Sequence, residues 1–530
     1  MSGDPRWAGW GATDAIVTLP EPVLRLLHQV LGVSGPAVPS VDPAHLPIPG
    51  SVLPEQVRAE LTAVLGAGAL RTDPASRAWH TLGCSTPDLV RLRAGALEGV
   101  PDAVALPATH DDVVAVLRLC SAHRVAVVPR GGGTSVVGGL AGHRASHAAL
   151  LAMDLRRLDR LLEVDLESRV AYFEAGVRAP QAEALLAPYG LMLGHYPQSY
   201  EYATLGGFAA TRSAGQASAG YGRFDEMVTR LRVATPVGTL DLGRAPASAA
   251  GPDLRQLVLG SEGTLGVVTT LGVRVRPLPE ARRYEGWRFP DFASGLTAVR
   301  GLAQGGPLPT VLRLSDEAET AVGLADPDQL GAGVGPGGCL LVLGHEGPAT
   351  AVRRERAALA GRLRAAGGTE LGTAPGEAWR AGRYRAPYLR DALLDAGVFV
   401  ETLETAAFWS RLPALYAAVR AAVTDTLAAD GAPSLVLGHV SHVYPTGASL
   451  YFTVACAPGA DPLGRWARAK AAASEAIVAV GGTISHHHGV GVDHAPWYAA
   501  EVGPLGVAVV RAVKAVLDPQ GILNPGVLVG

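Results

Sequence analysis

An α+β protein with more than one domain is the architecture that this sequence predicts. At 530 residues, the chain is longer than a single hydrophobic core normally supports. Its composition is 48% hydrophobic and 18% charged, which is typical of a well-buried globular chain and excludes a disordered one. Helix-like and strand-like patterns alternate along the chain without an internal repeat. Together these observations favour several separate sheets with helices packed against them.

Composition and periodicity divide the chain into four segments. The first mixes short helical patterns with proline-rich linkers, and the second alternates strands and helices. From Arg283 the pattern changes to longer helices that alternate with strand-like runs, which predicts a mixed sheet. The last segment contains an amphipathic helix from Leu505 to Leu517. The expected boundaries are 1–99, 100–278, 279–479 and 480–530.

The second segment carries the clearest local signals. Thr109-His-Asp-Asp112 resembles a capping box and predicts a helix with Val113, Val116 and Leu117 on one face. A buried strand follows at Val125–Val128. Residues 230–242 read as a hairpin around Pro-Val-Gly238 with one apolar face.

Composition also limits partners and compartment. A net charge of −3 makes nucleic acid an unsuitable partner. The four cysteines lie far apart with no CxxC pair, which argues against a zinc knuckle, an iron–sulfur cluster or a disulfide framework. The chain lacks a secretory signal pattern and any apolar run long enough to span a bilayer. We therefore expect a cytoplasmic protein.

The glycine run in Pro129-Arg-Gly-Gly-Gly-Thr-Ser135 directly follows the predicted strand. Residues without a Cβ let the backbone approach a ligand closely, and successive N–H groups in such a loop can cradle an anion. A second segment rich in glycine and hydroxyl groups, 194–215, favours a long, pyrophosphate-bearing cofactor. A Walker loop is excluded because the only lysines are Lys470 and Lys514, and Val136 replaces the third Rossmann glycine. Taken alone, the glycine run is equally typical of a tight turn.

Three segments carry a resemblance to a known family: 129–135, 194–221 and Gly260-Ser-Glu-Gly-Thr-Leu-Gly-Val-Val268. They resemble the flavin-binding half of the vanillyl-alcohol-oxidase or PCMH-type flavoproteins, and within these the alkyldihydroxyacetonephosphate synthases. The resemblance implies a two-part PCMH-type FAD-binding domain at 100–278 and a substrate-binding cap domain at 279–479. It also implies that residues 480–530 pack back on the flavin.

The same resemblance implies a set of FAD-binding residues. Thr134 and Ser135 stand where some relatives attach the flavin covalently through histidine or cysteine, so we expect FAD to be held without a covalent bond. The expected cofactor-binding residues are Pro129, Arg130, Gly131, Gly132, Gly133, Thr134, Ser135, Pro197, Gln198, Ser199, Thr204, Gly206, Gly207, Thr211, Arg212, Ala214, Gly215, Glu262, Gly266 and Val268.

Tyr451 and the run His486-His487-His488 are the expected catalytic residues. On a strand, at most His486 and His488 would share a face, so the run alone is a poor metal site. Flanking glycines match the family's active-site histidine segment, and imidazoles can relay protons. The resemblance assigns Tyr451 as acid/base, which requires cations or histidines to lower its pKa. A surface histidine cluster and a packed strand tyrosine are the structural alternatives.

Three further residues match substrate-site positions of the family. Arg390 aligns with its active-site arginine and is assigned to both catalysis and substrate binding, while Arg313 and His195 are assigned to substrate binding. Guanidinium groups hold phosphate or carboxylate bidentately. An ordinary salt bridge is the structural alternative for each arginine.

The resemblance implies an ether-forming transferase. Such enzymes exchange the acyl chain of an acyl-dihydroxyacetone phosphate for a fatty alcohol through an adduct at flavin N5. The alternative is an FAD-linked dehydrogenase or oxidase of a 2-hydroxy acid or alcohol. That activity uses two histidines and a glutamate as metal ligands, of which only His439 is present, because Tyr451 and His487 replace the other two. We therefore expect no metal. A flavin-binding protein without catalysis is a third possibility.

A role in ether-lipid metabolism follows from the transferase assignment. The expected partners are a small or lipid-like substrate, a second copy of the chain in a homodimer, and peripherally a membrane surface.

Overall fold

The computed structural model describes residues 6–12, 15, 17–33, 40–306, 308–323 and 337–529. Within these ranges eighteen helices follow in chain order: α1 (Glu21–Leu31), α2 (Glu55–Leu65), α3 (Pro74–Trp79), α4 (Thr86–Ala94), α5 (His110–Ala122), α6 (Ala179–Leu186), α7 (Leu205–Thr211), α8 (Ser218–Tyr221), α9 (Phe224–Met227), α10 (Arg255–Val258), α11 (Phe292–Gly305), α12 (Glu317–Val322), α13 (Ala349–Ala365), α14 (Ala374–Gly382), α15 (Ala386–Asp395), α16 (Leu412–Ala429), α17 (Pro462–Val480) and α18 (Ala495–Leu517).

Eighteen strands lie in the same ranges: β1 (Leu70–Arg71), β2 (Ala103–Ala105), β3 (Val125–Arg130), β4 (Ala149–Asp154), β5 (Leu161–Asp165), β6 (Val170–Glu174), β7 (Leu191–Met192), β8 (Val228–Thr235), β9 (Gly238–Leu242), β10 (Val267–Arg274), β11 (Arg276–Pro277), β12 (Ala281–Phe289), β13 (Val311–Ser315), β14 (Cys339–Gly347), β15 (Thr369–Gly372), β16 (Phe399–Phe408), β17 (Ser434–Val443) and β18 (Gly447–Cys456). The α+β architecture predicted from the sequence is confirmed.

Two sheets build the region that carries the glycine loop. The first has the order β1-β2-β4-β3, with β2 and β3 parallel to β4, and the second has the antiparallel order β5-β6-β10-β8-β9. The capping box at Thr109 and Asp112 is present, and it starts α5, whose buried Val113, Val116 and Leu117 pack on the first sheet. The hairpin predicted around Gly238 corresponds to β8 and β9. This is the two-part arrangement that the resemblance implies.

The third sheet has seven strands in the order β15-β12-β14-β13-β17-β18-β16. Its strand pairs are all antiparallel, so the mixed directions expected here are found instead in the four-stranded sheet. Alternation along β18 places Leu450 and Phe452 in a core beneath α11, α13, α16 and α17. Tyr451, between them, faces the opposite side of the sheet. One face is therefore structural and the other is available for chemistry.

The chain's final segment returns to the first sheet. Leu523 forms a parallel bridge with Val127, and Asn524 donates its backbone N–H to the Val127 carbonyl at 2.8 Å. Among the described residues, no helix has both the length and the apolar character needed to cross a bilayer.

Candidate active site

One cavity separates the glycine loop from the seven-stranded sheet. Most of the predicted cofactor residues line it: Pro129, Arg130, Gly131, Gly132, Gly133, Thr134, Ser135, Pro197, Gln198, Ser199, Thr204, Gly206, Gly207, Thr211, Ala214, Glu262, Gly266 and Val268. The same cavity is also lined by Arg313, Arg390, Tyr451, His487 and His488. The cofactor segments and most of the expected catalytic residues therefore share one cavity.

The glycine loop is shaped to accept a ligand against its backbone. The N–H groups of residues 131–135 donate to no acceptor within the described part of the chain. A Cβ on Gly131 would lie 2.3 Å from Thr204 Oγ1, and one on Gly132 would lie 2.0 Å from the Tyr202 carbonyl oxygen. Gly133 has φ +74°, a conformation that glycine adopts readily. Unpaired N–H groups on a loop that begins with three glycines fit the pyrophosphate of a dinucleotide.

Cys84 also lies beside this loop, a position that no sequence pattern predicted. Its thiol donates to the Gly133 carbonyl oxygen at 3.4 Å, and burial raises its pKa to about 11. A protonated thiol is a weak nucleophile, which is consistent with non-covalent FAD. That mode of attachment stays a prediction.

Arg212, Gly215 and His195 do not reach the cavity lining. Arg212 ends α7, donates to the Leu259 carbonyl at 2.9 Å and pairs with Asp225 at 3.3 Å. A Cβ on Gly215 would lie 2.7 Å from Tyr196 N, so this glycine serves close backbone packing. The roles that the resemblance gave them in direct ligand contact therefore need correction.

His195 is a core histidine. Its ring lies against Phe208 and Phe224 at centroid distances of 4.7 and 5.1 Å, and its Nε2 lies 3.0 Å from Ser213 Oγ. Burial lowers its pKa to about 3, so the ring is neutral at physiological pH. It packs behind the cavity against Ser213, which lines the cavity, and is not itself a lining residue.

Glu404 on β16 organises the histidine segment. Its Oε1 accepts hydrogen bonds from Ser485 Oγ at 2.8 Å and from the backbone N–H groups of His486, His487 and His488 at 3.0, 3.0 and 2.9 Å. Three consecutive N–H groups that converge on one carboxylate require a turn, so the strand assumed for this run is wrong. As a result His487 and His488 line the cavity and His486 does not.

Tyr451 lies among imidazoles. Its ring stacks on His439 at 5.0 Å and contacts His488 edge-on at 5.6 Å. Strand register explains the grouping, because Tyr451 is directly opposite both Glu404 and His439. Burial raises the pKa of Tyr451, and burial lowers those of His439 and His488, the latter to about 3. The expected lowering of the tyrosine pKa does not occur, since neutral imidazoles surround a protonated phenol.

His486 belongs to a second layer behind this group. Its Nε2 lies 2.7 Å from Tyr444 Oη and its Nδ1 lies 3.0 Å from His487 Nδ1. His442, which the sequence analysis missed, stacks on His486 and lines the cavity. One nitrogen from each of His442, His486 and His487 falls within a 4.8 Å group. This group differs from the metal-ligand set of the dehydrogenase alternative, to which His439 would belong. The absence of a metal stays a prediction.

The two arginines that the resemblance selected are both paired. Arg313 donates to Glu319 Oε1 at 2.6 Å and to Ser315 Oγ at 2.8 Å, while Glu319 also contacts His439 Nδ1 at 2.8 Å. Arg390 donates to Asp391 Oδ1 at 2.9 Å. Both arginines therefore line the cavity with part of their charge compensated by an acid. Through Glu319, the network of Arg313 also occupies Nδ1 of His439.

Glu262 connects the cofactor region to the chain's final segment. Its carboxylate accepts the N–H groups of Val490 and Gly491, each at 2.9 Å, and its carbonyl accepts from Asn524 Nδ2 at 2.8 Å. Asn524 Nδ2 also donates to the Gly139 carbonyl at 3.0 Å. These contacts from residues 490, 491 and 524 hold Glu262, which lines the cavity, in place.

Comparison with known proteins also identifies an FAD-binding region followed by a second domain. The family model described as "FAD binding domain" matches residues 101–242, and the one described as "FAD linked oxidases, C-terminal domain" matches residues 278–528. The alkyldihydroxyacetonephosphate synthase of Trypanosoma brucei brucei is 34% identical, with 99% of this chain and 92% of the relative covered. The chain belongs to the alkyldihydroxyacetonephosphate synthase family. It is accordingly an FAD-linked enzyme with FAD as its cofactor.

Solved structures agree with this family assignment. A structure of an alkyldihydroxyacetonephosphate synthase matches with a TM-score of 0.83 and 28% identity, covering 98% of both chains. p-Cresol methylhydroxylase with substrate bound matches with a TM-score of 0.69 and 16% identity, covering 89% of this chain and 96% of its own. The latter establishes the PCMH-type fold alone.

This member of the synthase family has functional candidates that the sequence analysis missed. Glu404, His442 and Arg383 all belong to the site or its support, yet none lies in a recognisable motif. Alternation along β16 could have placed Glu404 on one face of a strand, but not its contact with the turn of residues 485–489, 81 or more positions away.

Proposed function

We propose that the protein converts an acyl-dihydroxyacetone phosphate and a fatty alcohol into an ether-linked product and a free fatty acid. The observation that carries this proposal is the placement of Tyr451, His487 and His488 in the same cavity as the unpaired N–H groups of the glycine loop. The reaction breaks the bond between C1 of the dihydroxyacetone unit and the ester oxygen, so the acyl group leaves as a carboxylate. A bond then forms from the same C1 to the alcohol oxygen, and the alcohol proton balances the carboxylate to give the free fatty acid. No net oxidation takes place.

The protonation states of these residues suit such an exchange. When bound, FAD supplies an electrophilic ring that can hold the substrate carbon and return it without net redox change. Tyr451 keeps its phenolic proton and acts first as a donor at Oη, stabilising negative charge on the departing carboxylate. The neutral ring of His488 can accept a hydrogen bond from the hydroxyl of the incoming alcohol and so orient it toward C1. Glu404 keeps the histidine turn in place and contacts the turn's backbone.

An apolar wall lies next to these groups. On α15, Ala386, Leu389 and Leu393 line the cavity at helical spacing, and Val400 continues the wall from β16. A hydrocarbon chain fits such a wall because burying its CH₂ groups releases ordered water. This supports a substrate with at least one long chain.

The test is product analysis. Purified protein is incubated without oxygen with palmitoyl-dihydroxyacetone phosphate and hexadecanol, and the lipids are identified by mass spectrometry. We expect an ether-linked product from the natural protein and none above background from Tyr451→Phe, with equal flavin content. Tyr189→Phe, at an exposed position away from the cavity, is the matched control. Wild-type protein that makes no ether but reduces its flavin with a 2-hydroxy acid would replace this proposal with the dehydrogenase.

Assembly and location stay predictions that follow from the proposed chemistry. Helix α18 exposes Leu505, Val509 and Val516 along one side, at 78%, 51% and 70% of their surfaces. Such an apolar stripe could serve the expected homodimer or the expected peripheral membrane contact. Molar mass in solution and sedimentation with phosphatidylcholine vesicles distinguish the two, and cell fractionation tests the cytoplasmic location.

A further inference from the structure

Arg383 is a cavity-lining arginine with no acidic partner. It follows α14, and it is among the residues that line the cavity. No described carboxylate lies within salt-bridge distance of its guanidinium, and the guanidinium donates no hydrogen bond to a described residue. By contrast, Arg313 pairs with Glu319 and Arg390 pairs with Asp391.

Two tyrosine rings hold this guanidinium in place. It lies 4.5 Å from the ring centroid of Tyr196 and 4.9 Å from that of Tyr384. Its backbone carbonyl accepts a hydrogen bond from Gln216 Nε2 at 2.9 Å, which fixes the chain at this point. Cation–π contact partly compensates the charge but satisfies none of the five N–H donors. The side chain is therefore oriented without being neutralised.

Neighbouring polar atoms are also without partners. The Tyr384 hydroxyl and Gln216 Oε1 are both buried and form no hydrogen bond within the described structure. Burying a polar group without a hydrogen-bond partner costs free energy, and burying a cation costs more unless an anion pairs with it. Arg383 lines the cavity, and the Tyr384 hydroxyl belongs to a ring that its guanidinium contacts. A cation with a nearby hydroxyl donor suits an anion with several oxygen atoms, whereas Gln216 Oε1 is an acceptor and is not assigned to the anion.

We propose that Arg383 binds the phosphate group of the substrate, with the Tyr384 hydroxyl as a second donor. This assignment rests on the proposed function, which requires a phosphate at the end of the substrate remote from the exchanged chain. The pyrophosphate of FAD has its own cradle in the N–H groups of residues 131–135. Arg383 lies in the other half of the protein, on the segment that also presents Ala386 and Leu389 to the cavity.

The direct test measures anion binding without turnover. Glycerol 3-phosphate is titrated into the FAD-loaded protein, and the flavin absorbance or the heat of binding is followed. We expect Arg383→Gln to weaken binding by about 30- to 100-fold, the loss of one or two charge-assisted hydrogen bonds. Arg383→Lys, which retains the charge, should recover much of the affinity. Arg380→Gln is the matched control, because Arg380 is exposed and pairs with Glu377 at 2.8 Å.

Each outcome separates the anion site from the overall reaction. In turnover assays, Arg383→Gln should raise KM for the phosphorylated substrate and abolish the preference over acyl-dihydroxyacetone without the phosphate. Unchanged binding of glycerol 3-phosphate, or loss of FAD from the variant, would overturn the assignment. Arg383-dependent binding of D-lactate but not of glycerol 3-phosphate would overturn it too. If wild-type protein makes no ether yet binds glycerol 3-phosphate through Arg383, the proposed function fails and the phosphate site stands.

Discussion

Replacing Glu404 with glutamine is expected to loosen the turn that presents His487 and His488 to the cavity. The carboxylate is 2% exposed and accepts the backbone N–H groups of three successive histidines together with the Ser485 hydroxyl. Burial alone would raise the pKa of Glu404, but the neighbouring His487, through its charge and its hydrogen bond, holds that pKa well below its usual value. The group is therefore ionised throughout the physiological range.

The size of the effect follows from the count of hydrogen bonds. Four of them end on Oε1, and a further one from the His486 N–H ends on Oε2 at 2.8 Å. Glutamine keeps one oxygen but loses the charge, and its NH₂ group would meet that same His486 N–H. Since charged acceptors are about twice as strong as neutral ones, we expect Glu404→Gln to reduce stability by about 3 kcal/mol. Displacing the two cavity histidines by about 1 Å should lower turnover by about 100-fold.

Urea unfolding followed by flavin release and by circular dichroism measures the stability change, and product analysis measures turnover. Glu163→Gln on β5, an exposed strand position, is the matched control. The difference in the free energy of unfolding between wild type and Glu404→Gln should persist as pH falls to about 4.5 and narrow only in stronger acid. The reason is that the depressed pKa keeps Glu404 ionised in the folded state until the pH is lower still. A variant with full stability and full activity would refute the argument that this carboxylate organises the turn.

Three further predictions concern neighbouring groups. Burial raises the pKa of Glu262 to about 7, so its contribution to stability should fall as pH rises from about 4.5 through 7, by about 3 kcal/mol in total. Glu262→Gln should remove that pH dependence from urea midpoints, and a parallel dependence in the variant would contradict it. Dialysis against a chelator should leave turnover unchanged, while one tightly bound metal per chain by elemental analysis would instead point to the grouping of His442, His486 and His487. Asp391→Asn should lower the free energy of unfolding by about 3 kcal/mol, because it leaves the Arg390 guanidinium buried without its counterion; an unchanged thermal midpoint would show that Arg390 finds another partner.

Local patterns account for what the sequence predicted correctly. The capping box at Thr109 depends on residues three positions apart, and the strand at Val125 depends on a short apolar run. The cavity lining at residues 129–135 follows from the strand that precedes it. Each of these features is determined by neighbours in the chain, which is the range over which propensity and periodicity act.

Long-range contacts account for the errors. In sequence the histidine run is compatible with a strand. In the structure it forms a turn, because the N–H groups of the histidines converge on Glu404, which lies on a different element. His195 matches a substrate-site position in sequence, but Phe208 and Phe224 enclose it. Nothing local distinguishes a histidine packed behind a cavity from one that faces it.

The arginines show why lining a cavity and being available to a ligand are separate properties. Arg313, Arg383 and Arg390 line the same cavity, and the sequence analysis selected the first and the third. The acid beside Arg390 is its neighbour in sequence, and the acid beside Arg313 is six positions along the chain. In both cases the carboxylate already compensates much of the charge of the guanidinium, so an anionic ligand would have to compete with that carboxylate. Arg383 contacts two tyrosine rings and pairs with no described acid, so an incoming anion displaces no carboxylate. Its five N–H donors are therefore available to the anion.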